Sequence, residues 1–310
     1  MRFVKGHGTE NDFVILPDLD GTLDLTPEAV ARLCDRRAGI GADGVLRVVR
    51  TKAMYATSVN TALNTAVNTG AEETHGADTD AEWFMDYRNA DGSVAEMCGN
   101  GIRVFARYLV EAGLAAPGEW DVATRAGLRR VALGASGDVT VDMGPPRLLG
   151  QGEASIAGEV FQGRRVSVGN PHLACAVDGP VTALDLSRAP GFDPAVFPDG
   201  VNVEFYRTVG ERHVEMRVYE RGSGETRSCG TGTVAVAAAA AAEAAAEGAE
   251  PSGPARSAPA EGGSVPVQGG AEWTVDVPGG RVTVILDAGT GFLRGPAVLV
   301  AEGETRPGWL

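Results

Sequence analysis

The sequence predicts a mixed α/β (α+β) protein built as two pseudo-symmetric domains. Three observations predict it: most of the chain reads as short strands, only three segments read as helices, and one strand–loop–cysteine–helix block occurs twice. At 310 residues the chain is long for one ordinary domain and comfortable for two. An apolar content of 44% is enough for a sizeable core.

Taken in order, the first strand falls at residues 12–16. A helix then starts with Thr26 as N-cap and Pro27 in the first turn, and ends before Gly39. Strands at 45–49 and 82–87 flank a Thr/Asn/Ala/Glu-rich stretch, about 51–80, that has no sustained period. A second helix runs from about 99 to 112, with Ile102, Phe105, Ala106, Leu109 and Val110 on one face and Gly113 as its stop. Strands follow at 139–143, 201–206 and 213–219; the alternation from His213 to Val218 marks one buried face. The third helix begins near Gly230 and continues through alanine-rich sequence to about Glu247. Its first turns are apolar all round, the mark of a buried central helix. A Pro/Gly/Ala/Ser-rich stretch near 248–270 reads as a flexible surface loop, and strands at 273–277, 282–286 and 297–300 close the chain. Both inserted stretches exceed the roughly 12–15 residues usual for structureless loops, and neither carries a chemical motif.

The bulk composition excludes several functions. A formal net charge of −14 opposes binding to a phosphate backbone or an anionic membrane surface. The N-terminus lacks the apolar core of a signal peptide. The longest apolar run, 233–242, is mostly alanine and shorter than the roughly 20 residues a bilayer requires. The expectation is a cytoplasmic protein that binds neither nucleic acid nor membrane. Four cysteines without a CxxC pair make neither a zinc ribbon nor a secreted disulfide scaffold, so reduced thiols are expected.

Two of those thiols stand in duplicated context. Asn89-Ala90-Asp91-Gly92-Ser93 leads to Cys98-Gly99-Asn100-Gly101, and Glu220-Arg221-Gly222-Ser223-Gly224 leads to Cys229-Gly230-Thr231-Gly232. In each, a polar residue closing a strand lies nine positions before a cysteine that is followed by Gly-x-Gly and opens a helix. Such a repeat implies two equivalent halves whose cysteines can face each other across the cleft between them. A helix N-terminus lowers a thiol's pKa, and the glycines let backbone N–H groups approach a carboxylate or developing enolate. Inverting a stereocentre needs a base on one face of the carbon and an acid on the other, and one thiolate with one thiol supplies both without a cofactor or metal. Cys34, inside an amphipathic helix, and Cys175, between apolar residues of a strand, read instead as small buried apolar residues.

These residues resemble the diaminopimelate epimerase family. The resemblance is carried by His7-Gly8-Thr9-Glu10-Asn11-Asp12-Phe13, by Arg37-Ala38-Gly39-Ile40-Gly41-Ala42-Asp43-Gly44, by the two cysteine blocks, by Gly169-Asn170-Pro171-His172 and by Asn202-Val203, in the family's order over nearly the whole chain. It implies a fold in which each domain is a curved, mostly antiparallel sheet wrapped around a central helix. Domain boundaries are expected at 1–130 plus 295–310, carrying Cys98, and at 131–294, carrying Cys229; the last strand returns to the first domain. It also implies a homodimer and a cofactor-independent isomerase that interconverts LL- and meso-diaminopimelate for lysine and cell-wall precursor synthesis.

By the same resemblance Cys98 and Cys229 are the base/acid pair, with His172 and Glu220 beside them. Gly99, Asn100, Gly230 and Thr231 would hold the reacting carboxylate. Asn11, Asn89, Asn170, Asn202, Glu220 and Arg221 would recognise the amino and carboxylate groups, and a planar Arg221 fork suits a carboxylate. On physics alone, Asn11, Asn89 and Asn202 read as turn caps, and His172 reads equally as a satisfied core histidine. Two positions depart from the family: Glu10 stands where glycine is usual, so the loop presenting Asn11 is expected to turn differently, and Gly44 lacks a polar side chain found in some relatives.

Rival readings are weaker. Gly39 to Gly44 matches a dinucleotide fingerprint as a string, but it follows a helix and precedes a strand. The run Asp18-Leu19-Asp20-Gly21-Thr22 resembles the nucleophile motif of haloacid-dehalogenase-type phosphatases, but no later lysine and acidic magnesium-binding pair accompanies it. A metal held by His172, Glu220, Cys98 and Cys229 would tie up thiols that must exchange protons. A proline or hydroxyproline racemase shares the two-thiol chemistry, but it does not need the Asn/Arg set for a second amino-acid centre.

Overall fold

A computed structural model describes residues 1–56, 80–247 and 270–310. The two stretches expected as insertions lie largely outside the described residues; residues 51–56 form a short helical segment.

In chain order the elements are β1 (Arg2–Gly8), β2 (Asn11–Pro17), α1 (Pro27–Cys34), β3 (Gly44–Arg50), β4 (Trp83–Asn89), α2 (Gly99–Glu111), β5 (Gly118–Thr124), β6 (Gly127–Leu133) and β7 (Val139–Gly144). Then come β8 (Arg147–Ile156), β9 (Glu159–Ser167), β10 (Pro171–Ala176), β11 (Gly191–Phe192), β12 (Asn202–Gly210), β13 (His213–Glu220) and β14 (Gly224–Thr226). The chain closes with α3 (Gly230–Glu247), β15 (Ala271–Val277), β16 (Gly280–Asp287), β17 (Thr290–Gly295) and β18 (Val298–Glu304). The chain divides into two compact units. One comprises Met1–Gly8, Asp12–Val141 and Pro296–Leu310; the other comprises Thr9–Asn11 and Asp142–Gly295.

In the first unit the strand order is β18, β1, β2, β3, β4, β5, β6, β7. Only the β2–β3 and β4–β5 pairs are parallel among those with a described register. Strands from both ends of that order, β18, β1 and β6, pack on α2, as do β3 and β4, so the sheet curves around the helix. Ile102, Val104, Phe105 and Leu109 of α2 are fully buried, each worth about 1.5–3 kcal/mol of apolar burial. The helix stops as expected. Gly113, at φ 69°, gives the left-handed residue of a Schellman cap, donating to Val110 O at 3.0 Å while Leu114 N–H donates to Leu109 O at 2.8 Å. Helix α1 has its expected Thr26 cap, whose Oγ1 accepts from Ala29 N–H at 3.2 Å. It ends earlier than Gly39, because the Asp35 carboxylate accepts from the Arg37 and Ala38 N–H groups at 2.7 Å and turns the chain.

The second unit repeats the plan. Its strand order is β11, β8, β9, β10, β12, β13, β15, β16, β17, with β14 also on β13, and only β10–β12 and β13–β15 are parallel among the pairs with a described register. Strands β9, β10, β12, β13, β15, β16 and β17 all touch α3. Residues from Val234 to Ala239 are fully buried, which a helix achieves only when surrounded.

The rival strings resolve into local structure. Asp18 accepts from the Thr22 and Leu23 N–H groups at 2.9 and 3.0 Å and from Arg47 Nε at 2.7 Å, so it is a turn anchor. Residues 39–44 link α1 to β3, and Gly44 has a packing reason: a Cβ there would stand 2.5 Å from Arg88 O and 2.8 Å from Tyr87 Cε2. No described helix is long and apolar enough to cross a membrane.

Candidate active site

In the first unit the site begins where β4 ends and α2 starts. Cys98 is the N-cap: its backbone is extended and its Sγ accepts from Gly101 N–H at 3.3 Å. A cysteine thus occupies the place where serine or aspartate usually caps, and its partly exposed sulfur lies at the positive end of the helix. Asn100 is turned inward, its Oδ1 accepting from Arg103 Nη2 at 2.7 Å. Arg103 is fully buried, and burial pulls its guanidinium down to about 10 against the opposing charges of Cys98 and Asp138. Asn89 spends its amide on the turn, donating to Ser93 Oγ at 2.9 Å.

In the second unit β13 ends at Glu220 and α3 starts behind Cys229, the same offset as in the first. Cys229 is 6% exposed and its sulfur accepts from the Gly232 backbone, the counterpart of the Cys98–Gly101 cap. Thr231 Oγ1 stands 3.6 Å from Cys229 Sγ. Behind it runs a chain of contacts: Asn170 Nδ2 donates to Thr231 Oγ1 at 3.3 Å, His172 Nε2 lies 2.9 Å from Asn170 Oδ1, and His172 Nδ1 lies 2.7 Å from Glu204 Oε1. His172 therefore reaches Cys229 through Asn170 and Thr231, and its ring is fully buried.

The helix-start expectation of a lowered thiol is overturned at Cys229. Burial pushes it well above 9.0, the charge of Glu220 adds to the rise, and the Thr231 and Gly232 hydrogen bonds only partly oppose it. Desolvation of the thiolate outweighs the dipole here. Cys34 and Cys175, expected to be inert core residues, are buried and pushed up to about 12, burial being the largest cause in both.

The remaining expected residues divide by role. Asn202 ties backbone together, its Nδ2 donating to Pro171 O at 3.3 Å and its Oδ1 accepting from Arg221 N–H at 2.9 Å. Arg221 is exposed, with Nη1 on Asp199 O at 2.9 Å. Glu220 Oε1 accepts from Thr226 Oγ1 at 2.5 Å. Asn11 is half-buried at the start of β2. At φ 59° Glu10 takes a left-handed conformation that glycine would adopt freely, and Arg227 pairs with its carboxylate. Thr9, at φ 48°, is held by a 2.8 Å contact between its Oγ1 and Ser228 Oγ, and Gly279 lies so close that a Cβ would stand 1.8 Å from Thr9 O.

Glu204 was not among the expected site residues. The sequence shows Glu204 alternating with Asn202 between Val201, Val203 and Phe205, a pattern that reads as the polar face of a strand until the strand proves to be central.

The fold is shared with solved structures at low sequence identity. A phenazine biosynthesis protein of the PhzF family from Bacillus anthracis matches with a TM-score of 0.58 at 16% identity, covering 99% of each chain. A hydroxyproline epimerase from Agrobacterium vitis matches with a TM-score of 0.57 at 16% identity, covering 98% of this chain and 91% of that one. Sequence relatives narrow the class to an isomerase, an epimerase. The diaminopimelate epimerase of Thermobifida fusca (strain YX) is 56% identical over 306 residues, 99% of this chain and 98% of its own. That of Rhodococcus jostii (strain RHA1) is 51% identical over 318 residues, 100% and 98%. The chain belongs to the diaminopimelate epimerase family, whose model matches residues 3–149 and 164–300. The racemase and phosphatase readings are not favoured by these relatives.

Proposed function

We propose that this epimerase interconverts LL- and meso-diaminopimelate with Cys98 and Cys229 as its proton-transfer pair. The observation that carries the reading is the duplicated thiol cap: each cysteine opens a helix and each sulfur accepts from the backbone N–H three residues on. One thiolate removes the α-proton, leaving an enolate-like carbanion; the other thiol returns a proton to the opposite face, and the two sulfurs exchange protonation states. Backbone N–H groups at Gly99, Asn100, Gly230 and Thr231 hold the reacting carboxylate, as helix starts hold anions. Asn11, Asn89, Asn170, Asn202, Glu220 and Arg221 form the recognition set. Arg221 carries the planar fork for the distal carboxylate, and Asn202 positions Arg221 through its backbone. The protein acts as a homodimer in the cytoplasm.

The test is proton NMR of LL-diaminopimelate in D₂O with reduced protein. Loss of the α-proton signal with growth of the meso isomer is expected. Exchange of hydroxyproline in its place would overturn the substrate. Cys98→Ala and Cys229→Ala should each lower turnover by at least about 10³-fold, and full turnover by either would sink the two-thiol scheme.

A further inference from the structure

We propose that Glu204 is a positioning residue of the reaction: as a buried neutral acid it donates to His172 Nδ1 and so fixes a one-way chain of donors, His172 to Asn170 to Thr231, that ends on the Cys229 sulfur. The inference rests on the two-thiol reading above, and three observations carry it.

The first is polarity. Asn170 Nδ2 faces Thr231 Oγ1, so its Oδ1 is the atom that meets His172 Nε2 at 2.9 Å and requires a proton on that nitrogen. With Nε2 protonated, a neutral ring leaves Nδ1 as an acceptor, 2.7 Å from Glu204 Oε1. The proton between them then sits on the carboxyl. At the other end, Thr231 accepts from Asn170 and can aim its own O–H at Cys229 Sγ.

The second is burial. Glu204 is 0% exposed and its Oε2 has no hydrogen-bond partner among the described residues. An orphaned carboxylate oxygen away from water is costly, whereas the carbonyl oxygen of a neutral acid is far less so. The charged and titratable groups around it agree. His172 faces it from β10, Glu220 from the end of β13, and Cys229 from the start of α3, while Cys175 of β10 lies on the opposite face of the sheet with Val203 and Phe205. Burial is the largest influence and raises the carboxyl above its ordinary value, Glu220 raises it further, and His172 on a neighbouring strand and Glu204's own backbone N–H oppose without cancelling the rise.

The third is that the sequence makes room for it. Gly232, in the first turn of α3, would place a Cβ 2.7 Å from Glu204 Oε1. The equivalent glycine of the first unit, Gly101, meets Leu46 Cδ2 at 3.1 Å and Phe13 Cζ at 3.4 Å. The acid has been added under one thiol-bearing helix, where the other has hydrocarbon.

The experiment combines a spectrum and two variants of the full chain. Long-range ¹H–¹⁵N correlation of the four histidines, with His172 assigned by its loss in His172→Gln, should show a neutral ring protonated on Nε2. A ring protonated on Nδ1, or on both nitrogens, overturns the proposal. Glu204→Gln keeps a donor in place and should hold kcat within about threefold, whereas Glu204→Leu should lower kcat about 100-fold with KM within about threefold. A Leu variant with wild-type kcat overturns the proposal, as does a folded Gln variant that loses 100-fold. If the Leu variant does not fold, the spectrum and the Gln variant still decide. A wild-type protein that shows the expected ring but exchanges no diaminopimelate α-proton would sink the substrate reading and leave the placement of Glu204 intact.

Discussion

Alanine substitution at the two equivalent glycines, Gly101 and Gly232, should have unequal consequences. Each stands third after its cysteine and each would bring a Cβ to 3.3 Å from that cysteine's Cβ, so this contact cancels in the comparison. At Gly101 the next obstacle is the end of Leu46, 3.1 Å away, which moves a few tenths of an ångström at little cost. At Gly232 it is Glu204 Oε1 at 2.7 Å, with Glu204 Cδ at 3.3 Å behind it. Restoring ordinary contact at 3.4 Å pushes the carboxyl back by about 0.7 Å, which stretches a 2.7 Å bond to His172 past hydrogen-bonding distance. Overpacking of this kind costs about 1–3 kcal/mol, while replacing glycine inside a helix returns up to about 1 kcal/mol. Gly101→Ala should therefore be near neutral. Gly232→Ala should cost about 2 kcal/mol, a fall in Tm of about 4–8 °C at the sensitivity of a domain of this size. Scanning calorimetry reads both. Shortening the acid in a Gly232→Ala, Glu204→Asp double variant should recover at least about 0.5 kcal/mol of the loss. Equal Tm shifts for the two single variants, or strict additivity in the double, would refute the packing argument.

Three further outcomes are expected. Iodoacetamide at pH 8 should modify Cys98 at least about tenfold faster than Cys229, since Cys229 is buried and pushed well above 9.0; peptide mass spectrometry showing Cys229 modified first would contradict this. Cys34 and Cys175 are raised from 9.0 to about 12, so the folded chain keeps two protons that the unfolded chain releases. Their contribution is fully present below pH 9 and falls between about 9 and 12, by about 1.4 kcal/mol per pH unit for each thiol. Cys34→Ala with Cys175→Ala should flatten urea-midpoint curves over that window, and an unchanged slope would count against it. Asp86 is fully buried; burial works to raise its carboxyl, but Arg88 at 2.8 Å and Arg125 at 2.7 Å outweigh it and hold it below 3.8. Asp86→Ala should destabilise the first unit by about 3–5 kcal/mol, read by urea unfolding, and a loss under 1 kcal/mol would show that the arginines find other partners.

Much of this was legible in sequence because it is local. The Thr26 cap, the Gly113 stop, the alternation of β13 and the all-round apolar start of α3 are each written within a few neighbouring residues. Strands β8 and β9 were not legible. Their sequences mix glycine with charges, and their extended conformation comes from pairing with each other around a turn in which Ala157, at φ 51°, takes a place sequence rules give to asparagine or glycine. The same limit applied to the site. The duplicated cysteine caps could be read directly, whereas Glu204 gains meaning only from His172, thirty-two residues earlier and on a neighbouring strand. The rise at Cys229 was equally out of reach, because a helix terminus is visible in sequence and the burial that overrides it is not.

Helix α3 has a consequence for how sharply Cys229 can be placed. From Ala237 to Ala242 every side chain is a single methyl group. Such residues have no rotamers to sample and none to lose on folding. The strands around them therefore press on a nearly featureless rod with little internal play, and the sulfur at its tip inherits its position from the main chain. A helix of larger residues would fill the same barrel but admit several packings of similar energy, each moving that sulfur slightly. Here uniqueness comes from having almost nothing that can be rearranged.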